Sequence, residues 1–372
     1  MTKATHRTAA PPAPFALAAL LLLAAHTAGA QETPRAKSDE GALSSVVAAA
    51  PTVAEIQSKW KLKTGGSVYS TPVVAGAAVY FGSYDFHLYA ADAATGRELW
   101  RFRTGGRVLA SPAVDAAAGR VYFGSQDNRF YALEAATGRV LWKFKTPLSV
   151  NSAPAVSNDS VFFACTDGRV YALDAATGAQ RWVRPSRSGT PTAPQLSGGL
   201  VVFGGGTGVQ AVESSGGAEK WFYRTGRPVT SAVVVSGDRL YFGSLDGALH
   251  SIDAETGAPR WKFKTEGGLP HSPAVSGGAV YFGGIDGTLY AADAATGGER
   301  WRFAAEHGVT SAPAATGGVV YFGSTKGLYG LDAETGRQAS WFLTERIVTS
   351  APAPRDGLLY FGGWDGTLYA VR

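Results

Sequence analysis

From Val68 onward the apolar residues fall in short bursts rich in Val, Tyr, Phe and Leu, each closed by Gly, Asp or Pro. The first set reads V-Y-S-T-P-V-V from Val68, V-Y-F-G-S-Y-D from Val79, H-L-Y-A-A-D-A-A-T-G from His87 and R-E-L-W-R-F-R-T-G-G from Arg97. Bursts of this length between turn residues predict strands and tight turns. Four strands, lettered A to D from the inside outward, make one small antiparallel sheet. The set then repeats. Trp60, Trp100, Trp142, Trp182, Trp221, Trp261, Trp301 and Trp341 follow one another at intervals of 40, 42, 40, 39, 40, 40 and 40 residues. A fixed period of about 40 marks a repeat architecture.

Each Trp sits on strand D among alternating neighbours, as in Trp100-Arg101-Phe102-Arg103 and Trp261-Lys262-Phe263-Lys264. The alternation turns the aromatics inward and the bases to water. Burying an indole removes about 200 Å² from water, worth several kcal/mol at roughly 25 cal/mol per Å². All eight Trp are therefore expected to lock one sheet against the next. The turns have chemical reasons as well. Asp-Gly at 167–168, 246–247, 286–287 and 365–366 predicts two-residue B–C hairpins with positive φ at both centres. In the C–D segment D-A-x-T-G, as at Asp92 to Gly96, Asp and Thr bond nearby backbone while Gly takes the left-handed position. Recurrence at one position assigns these acids to turns rather than to catalysis.

The N-terminus has a different composition. Lys3 and Arg7 precede an apolar run from Phe15 to Ala25, and Ala28-Gly29-Ala30 offers a small-residue cleavage site. That is the pattern of a secretory signal, residues 1–30, and the run is too short to span a bilayer, which takes about 20 residues. A polar stretch without periodicity, residues 31–58, reads as a flexible leader before the repeats of 59–372. The expected location is periplasmic or secreted. The net charge of +5 drops to +3 without Lys3 and Arg7, and no basic run points to nucleic acid. Cys165, the single cysteine, aligns with Ser83 on a strand and reads as a small buried residue.

Four-stranded units at this period suggest a β-propeller. The periodic Trp is followed by Lys, Arg, Val or Phe rather than Asp, which separates the unit from WD40 repeats; Trp364-Asp365 falls in a B–C hairpin instead. The unit V-Y-F-G-S-x-D-G-x-L-Y-A-L-D-A-x-T-G-x-x-x-W resembles the pyrroloquinoline-quinone-type propeller repeat family, from about Trp60 to Arg372. A-B-C triplets begin near Val68, Val108, Val150, Thr190, Val229, Leu269, Val309 and Val348, so eight blades are expected. The last triplet ends at Arg372 without a D strand, and the first Trp strand has no triplet before it. The N-terminal strand therefore closes the ring on blade 8, removing open edges.

Function should lie where the copies depart from their consensus, because the fold alone assigns none. The D–A and B–C connections share a face. There the D–A loops vary at Arg107, Arg187, Arg227, Glu266, Glu306, His307, Glu345 and Arg346, and the hairpins carry Tyr84, Phe86, His87 and Trp364. Beside the central channel, Tyr69 precedes strand A of blade 1, and His271 replaces the Ser/Thr of other blades. Blades 4 and 7 have B–C hairpins one residue shorter, at Gly206-Thr207-Gly208 and Thr325-Lys326-Gly327. Ring closure makes blades 8 and 1 neighbours, so Trp364, Tyr84, Phe86, His87 and Tyr69 either form one patch beside Arg346, with the look of a partner interface, or cap their own blades.

The resemblance carries two functional expectations. Quinoprotein dehydrogenases of the family bind pyrroloquinoline quinone with Ca²⁺ over the ring centre, which implies an oxygen-rich ligand set and a vicinal disulfide. One cysteine cannot supply that disulfide, and the chain has no long insertions and no haem attachment motif. Compact non-enzymatic relatives include a lipoprotein of outer-membrane assembly, and this chain is similar to them in size, though it has no cysteine for lipid attachment after the apolar run. The resulting expectation is a monomeric, non-enzymatic binding scaffold for a protein or peptide of the cell envelope, without cofactor or metal. A quinone-dependent alcohol or sugar dehydrogenase and a carbohydrate-binding propeller are the alternatives.

Overall fold

The computed structural model describes Val53 to Arg372, apart from Asn158 and Ser188. The expected signal segment and the leader up to Thr52 lie outside the described residues. In blade 1, strands A (Val73–Ala75), B (Ala78–Gly82), C (His87–Asp92) and D (Glu98–Arg103) pair in that order, all antiparallel. The arrangement repeats around eight sheets, with no helix among the described residues. Blade 8 takes Ala353–Arg355, Leu358–Gly362 and Thr367–Val371 from the C-terminus and Ser58–Lys63 as its outer strand, with Trp60 opposite Ala370 and Leu62 opposite Leu368. The fold is the expected all-β, eight-bladed propeller closed by its N-terminal strand.

The core is distributed over the seams between blades. Tyr80, Leu88 and Ala90 of blade 1 pack on Val121, Phe123, Tyr131 and Leu133 of blade 2 with almost no exposure. Close approach requires glycine at a fixed place in strand B: a Cβ on Gly82 would lie 2.5 Å from Val108 of the next blade. The outer part of each seam is the Trp lock. Trp100 donates its indole N–H to the Ala135 carbonyl at 3.0 Å, and its ring covers Gly138, where a Cβ would stand 2.7 Å away. Trp60, Trp142, Trp182, Trp261 and Trp301 repeat both contacts on the following blade. Trp221 covers Gly257 in the same way, but its N–H has no acceptor. The glycine under each ring belongs to the D-A-x-T-G turn, which forms as expected: Asp92 Oδ1 accepts from Thr95 N–H at 2.8 Å and Thr95 Oγ1 at 2.7 Å, with Gly96 at φ 73°.

Trp341 does not join this set. Blade 7 has the shorter B–C hairpin, yet its Trp still follows Trp301 by 40 residues, so it sits one position late. Ser340 pairs with Gly330, where Trp100 pairs with Ala90, and Trp341 pairs with Tyr329, where Arg101 pairs with Tyr89. One step along a strand reverses the face a side chain presents. Trp341 therefore stands edge-to-face on Tyr329 at 4.2 Å. Blade 8 takes its outer strand from Ser58–Lys63, so among the described residues it has no C–D turn to receive a lock. The chain entering the ring takes that place. Ala54–Glu55 pair in parallel with Ser340 and Trp341, Gln57 exchanges two backbone hydrogen bonds with Arg372, and Ile56 is buried among Phe342, Val371 and their neighbours. The last residues assigned to a leader thus form a clasp over the seam of blades 7 and 8.

The B–C hairpins also differ from expectation. Cys165 pairs with Arg169, leaving a three-residue loop, Thr166-Asp167-Gly168, in which only the glycine has positive φ. The Asp is kept out of the left-handed region and spends its carboxylate across the blade: Tyr171 Oη donates to Asp167 at 2.6 Å. Tyr89 with Asp85, Tyr131 with Asp127 and Tyr290 with Asp286 repeat the bond. Cys165 is buried, and burial pushes its thiol up to about 11.

Candidate functional site

The two sets of loops share a face because they are bonded together. The first hairpin residue donates its N–H to the D–A loop entering the same blade: Tyr84 to Ser67, Gln126 to Arg107, Trp364 to Ile347. A side chain on one set is therefore fixed against the other.

At the closure of the ring this pinning gathers four of the expected residues. Tyr69 stacks on Tyr84 with ring centres 4.6 Å apart and 18° between planes, and Trp364 leans on Tyr69 at 5.9 Å. The Arg107 guanidinium lies 4.8 Å from the Tyr84 ring centre, a cation–π contact. Ser67 Oγ holds the Trp364 carbonyl at 3.0 Å from the blade 1 side. The Trp364 indole N–H is buried without an acceptor. Burial and the adjacent Tyr84 hydroxyl raise the Tyr69 phenol far above its ordinary range, so the group is a neutral, mostly apolar surface under one fixed cation.

Phe86 stands in the same hairpin as Tyr84 and is 39% exposed. It occupies the position that is glycine in Gly168, Gly247, Gly287 and Gly366, and it does so at φ 75°. A bulky residue in left-handed backbone costs roughly 1–2 kcal/mol. The strain is held by the turn, whose carbonyl at Phe86 accepts from both the N–H and the hydroxyl of Thr104. The result is an aromatic ring projected into solvent from a position where the fold prefers no side chain.

The other expected residues fall elsewhere. His87 bonds within its own hairpin, with Nδ1 2.9 Å from the Asp85 carbonyl, so it serves the turn. Arg346 is exposed, and Arg107 provides the cation of the cluster instead. The pinned hairpin reaches forward to the loop entering the next blade, and Arg346 lies one blade behind. His271 is in the channel wall of blade 6, where Ser231 and Ser311 of the flanking blades hold a strand B amide at 3.1 and 2.9 Å. The His271 side chain is half-buried, and desolvation brings its imidazole down to about 4 against the opposing effect of the Val309 backbone.

The repeat pattern hides two sites that the sequence reading passes over. In blade 5, His250 replaces the hairpin-bonded Tyr, and its Nδ1 lies 3.0 Å from Tyr223 Oη while its Nε2 lies 3.3 Å from Asp246, itself 2.9 Å from Lys262 Nζ. The other is a cleft of about 520 Å³ beside Trp341, flanked by Glu55, Glu306 and His307. The signal for it is arithmetic: a shortened hairpin with an unshortened Trp interval.

Among the described residues no group of three or more His, Cys, Asp or Glu is placed to hold a metal ion. The residues preceding strand A around the channel are Tyr69, Leu109, Asn151, Pro191, Thr230, Pro270, Thr310 and Thr349. None is acidic, and calcium takes six to eight oxygens with carboxylates among them. These eight positions supply no carboxylate, though Asn151 Oδ1, Thr230 Oγ1 and Thr349 Oγ1 are buried oxygens without a hydrogen-bond partner. No described helix is long and apolar enough to cross a membrane.

The family model described as outer membrane protein assembly factor BamB matches residues 41–202, 85–247, 205–284 and 245–372. No curated protein matches the chain. Among solved structures, BamB from Moraxella catarrhalis superposes with a TM-score of 0.76 at 20% identity, covering 86% of this chain and 98% of that one. The computationally designed Ika8 protein gives 0.76 at 20% identity, with 84% and 99% covered. Quinohemoprotein alcohol dehydrogenase from Comamonas testosteroni gives 0.72 at 17%, with 85% and 76% covered. Likeness at such identity concerns the fold, which binding proteins and enzymes share.

Proposed function

The chain belongs to the family of the outer membrane protein assembly factor BamB, and on that basis we propose that it is an exported, non-enzymatic scaffold that holds a protein or peptide of the cell envelope on its loop face. The periplasm is the location this reading assigns. The observation that carries it is the aromatic group at the ring closure: Tyr69, Tyr84 and Trp364 beneath Arg107, with Phe86 held out in left-handed backbone. Strain persists where the surroundings over-determine it, and such places cluster at functional sites. Half-buried aromatics around an exposed Phe86, with an adjacent arginine, have the composition of an interface centre. None of the eight residues that precede strand A is a carboxylate for a calcium-bound quinone, which supports the non-enzymatic reading.

The test is photo-crosslinking in the cell envelope from position 86, compared with position 97 on the opposite face. Discrete adducts from 86 alone, diminished by Trp364→Ala in an otherwise stable protein, are the expected result. Tight one-to-one heat on titrating the purified protein with pyrroloquinoline quinone and Ca²⁺ would overturn the reading in favour of a dehydrogenase.

A further inference from the structure

In blades 6 and 8 a cation covers the strand C aromatic that faces strand D, whereas blade 3 has Val183 opposite Tyr171 and no base in its entering loop. Lys61 Nζ lies 5.3 Å from the Tyr369 ring centre and the Arg302 guanidinium 5.7 Å from that of Tyr290. Both cations come from the strand D position directly across, where blade 1 has Arg101 opposite Tyr89. Blade 4 lacks a base there, with Phe222 opposite Gln210, and draws its cation from the preceding loop: the Arg187 guanidinium sits 5.0 Å from the Phe222 ring centre. Blade 7 has neither source. Its cross-strand residue is Trp341, and the loop entering it carries Glu306 and His307. Among the described residues no basic side chain stands over Tyr329 or Trp341.

What remains is an aromatic corner, half-buried Trp341 against buried Tyr329, beside a cleft of about 520 Å³. Trp341 and Tyr329 meet at 64°, and the His307 ring closes on Trp341 at 5.9 Å. The rim carries two carboxylates, Glu55 and Glu306, against one ammonium, Lys326. Angled aromatic walls with carboxylates at the rim attract alkylammonium groups through the ring quadrupoles and the net negative charge. We propose that this cleft is a binding site for an organic ammonium cation, which occupies the place that Arg302 and Lys61 fill in blades 6 and 8. The site is independent of the aromatic group at the ring closure, so either can fail without the other.

A free quaternary ammonium and a lysine side chain share this chemistry, and the test separates them. Protein labelled with 5-fluorotryptophan is titrated with choline chloride, and separately with Nα-acetyl-lysine amide, against sodium chloride at matched ionic strength, at pH 8. The expected result is a saturable shift of the Trp341 fluorine resonance with one or both ammonium compounds. Trp341→Arg supplies the missing cation internally and should abolish saturable binding, read from the ligand side by its line broadening, while the remaining tryptophan resonances stay in place. Glu306→Gln, on an exposed loop, should weaken binding severalfold, and it carries the test if the arginine variant fails to fold. A response no larger than that to sodium chloride with both compounds overturns the proposal, as does undiminished binding to folded Trp341→Arg.

Discussion

Blades 4 and 7 lose the same residue from the same hairpin and come out differently. In blade 4 the loss is carried through to strand D: Trp221 follows Trp182 by 39 residues, pairs with Ala211 and covers Gly257. In blade 7 the interval remains 40, Ser340 takes the locking position, and Trp341 turns to the other face. The slip occurs at the one seam whose receiving turn is absent among the described residues, because blade 8 takes its outer strand from Ser58–Lys63. A lock there would have nothing to close on. The chain entering the ring seals that seam instead, with Ile56 in its core and Gln57 bonded to Arg372. The comparison separates two uses of one residue type: a Trp held between blades locks a seam, and the same residue moved by one position packs half-buried on Tyr329 of its own blade.

The strongest way to break this comparison is to remove the clasp. A protein beginning at Thr64 lacks Ile56, Trp60 and the outer strand of blade 8, and should lose more than about 5 kcal/mol from the buried area forfeited. Urea denaturation should show a lower midpoint or no cooperative transition; wild-type stability would mean that the ring is closed by other contacts. A smaller effect sharpens the account of the locks. Gly178→Ala places a Cβ 2.6 Å from the Trp142 ring at φ 74°, whereas Gly76→Ala, at φ 58°, meets open space. The first should cost about 3 kcal/mol from crowding and backbone together, the second about 1 kcal/mol from backbone alone. Equal losses would show that the ring contact contributes nothing. The smallest effect has the opposite sign. Phe86→Gly restores the residue preferred at φ 75° and should raise stability by up to about 1 kcal/mol while reducing crosslinking from the neighbouring hairpin positions. A loss of stability would make Phe86 a packing residue.

Most of the fold was legible because each blade states it again. The D-A-x-T-G turns, the bursts of strand residues and the Trp period all agree, and counting triplets against Trp strands placed Ser58–Lys63 on blade 8. What was not legible depended on register and reach. The Asp-Gly pairs looked like two-residue hairpins because the preference for glycine is local, whereas the Asp is fixed by Tyr171 and its equivalents four residues on, across the turn. Trp341 looked like the other seven because intervals between tryptophans were compared without subtracting the shortened hairpin. At the ring closure, the aromatic members could be chosen by ring adjacency, but their cation could not. Each D–A loop leans on the hairpin of the preceding blade, so Arg107 meets Tyr84 while the loop of Arg346 meets blade 7, and that direction is a property of the assembled ring.

The central claim is that seven tryptophans are locks and the eighth is not. The most direct test is a pair of unfolding curves, for Trp261→Ala and Trp341→Ala. The first should lose about 3–5 kcal/mol, as a large aromatic removed from a packed seam does, and the second about 1–2 kcal/mol, as loss of a half-buried aromatic contact within one blade does. Comparable losses in the two variants would contradict the register slip and return Trp341 to the ring of locks.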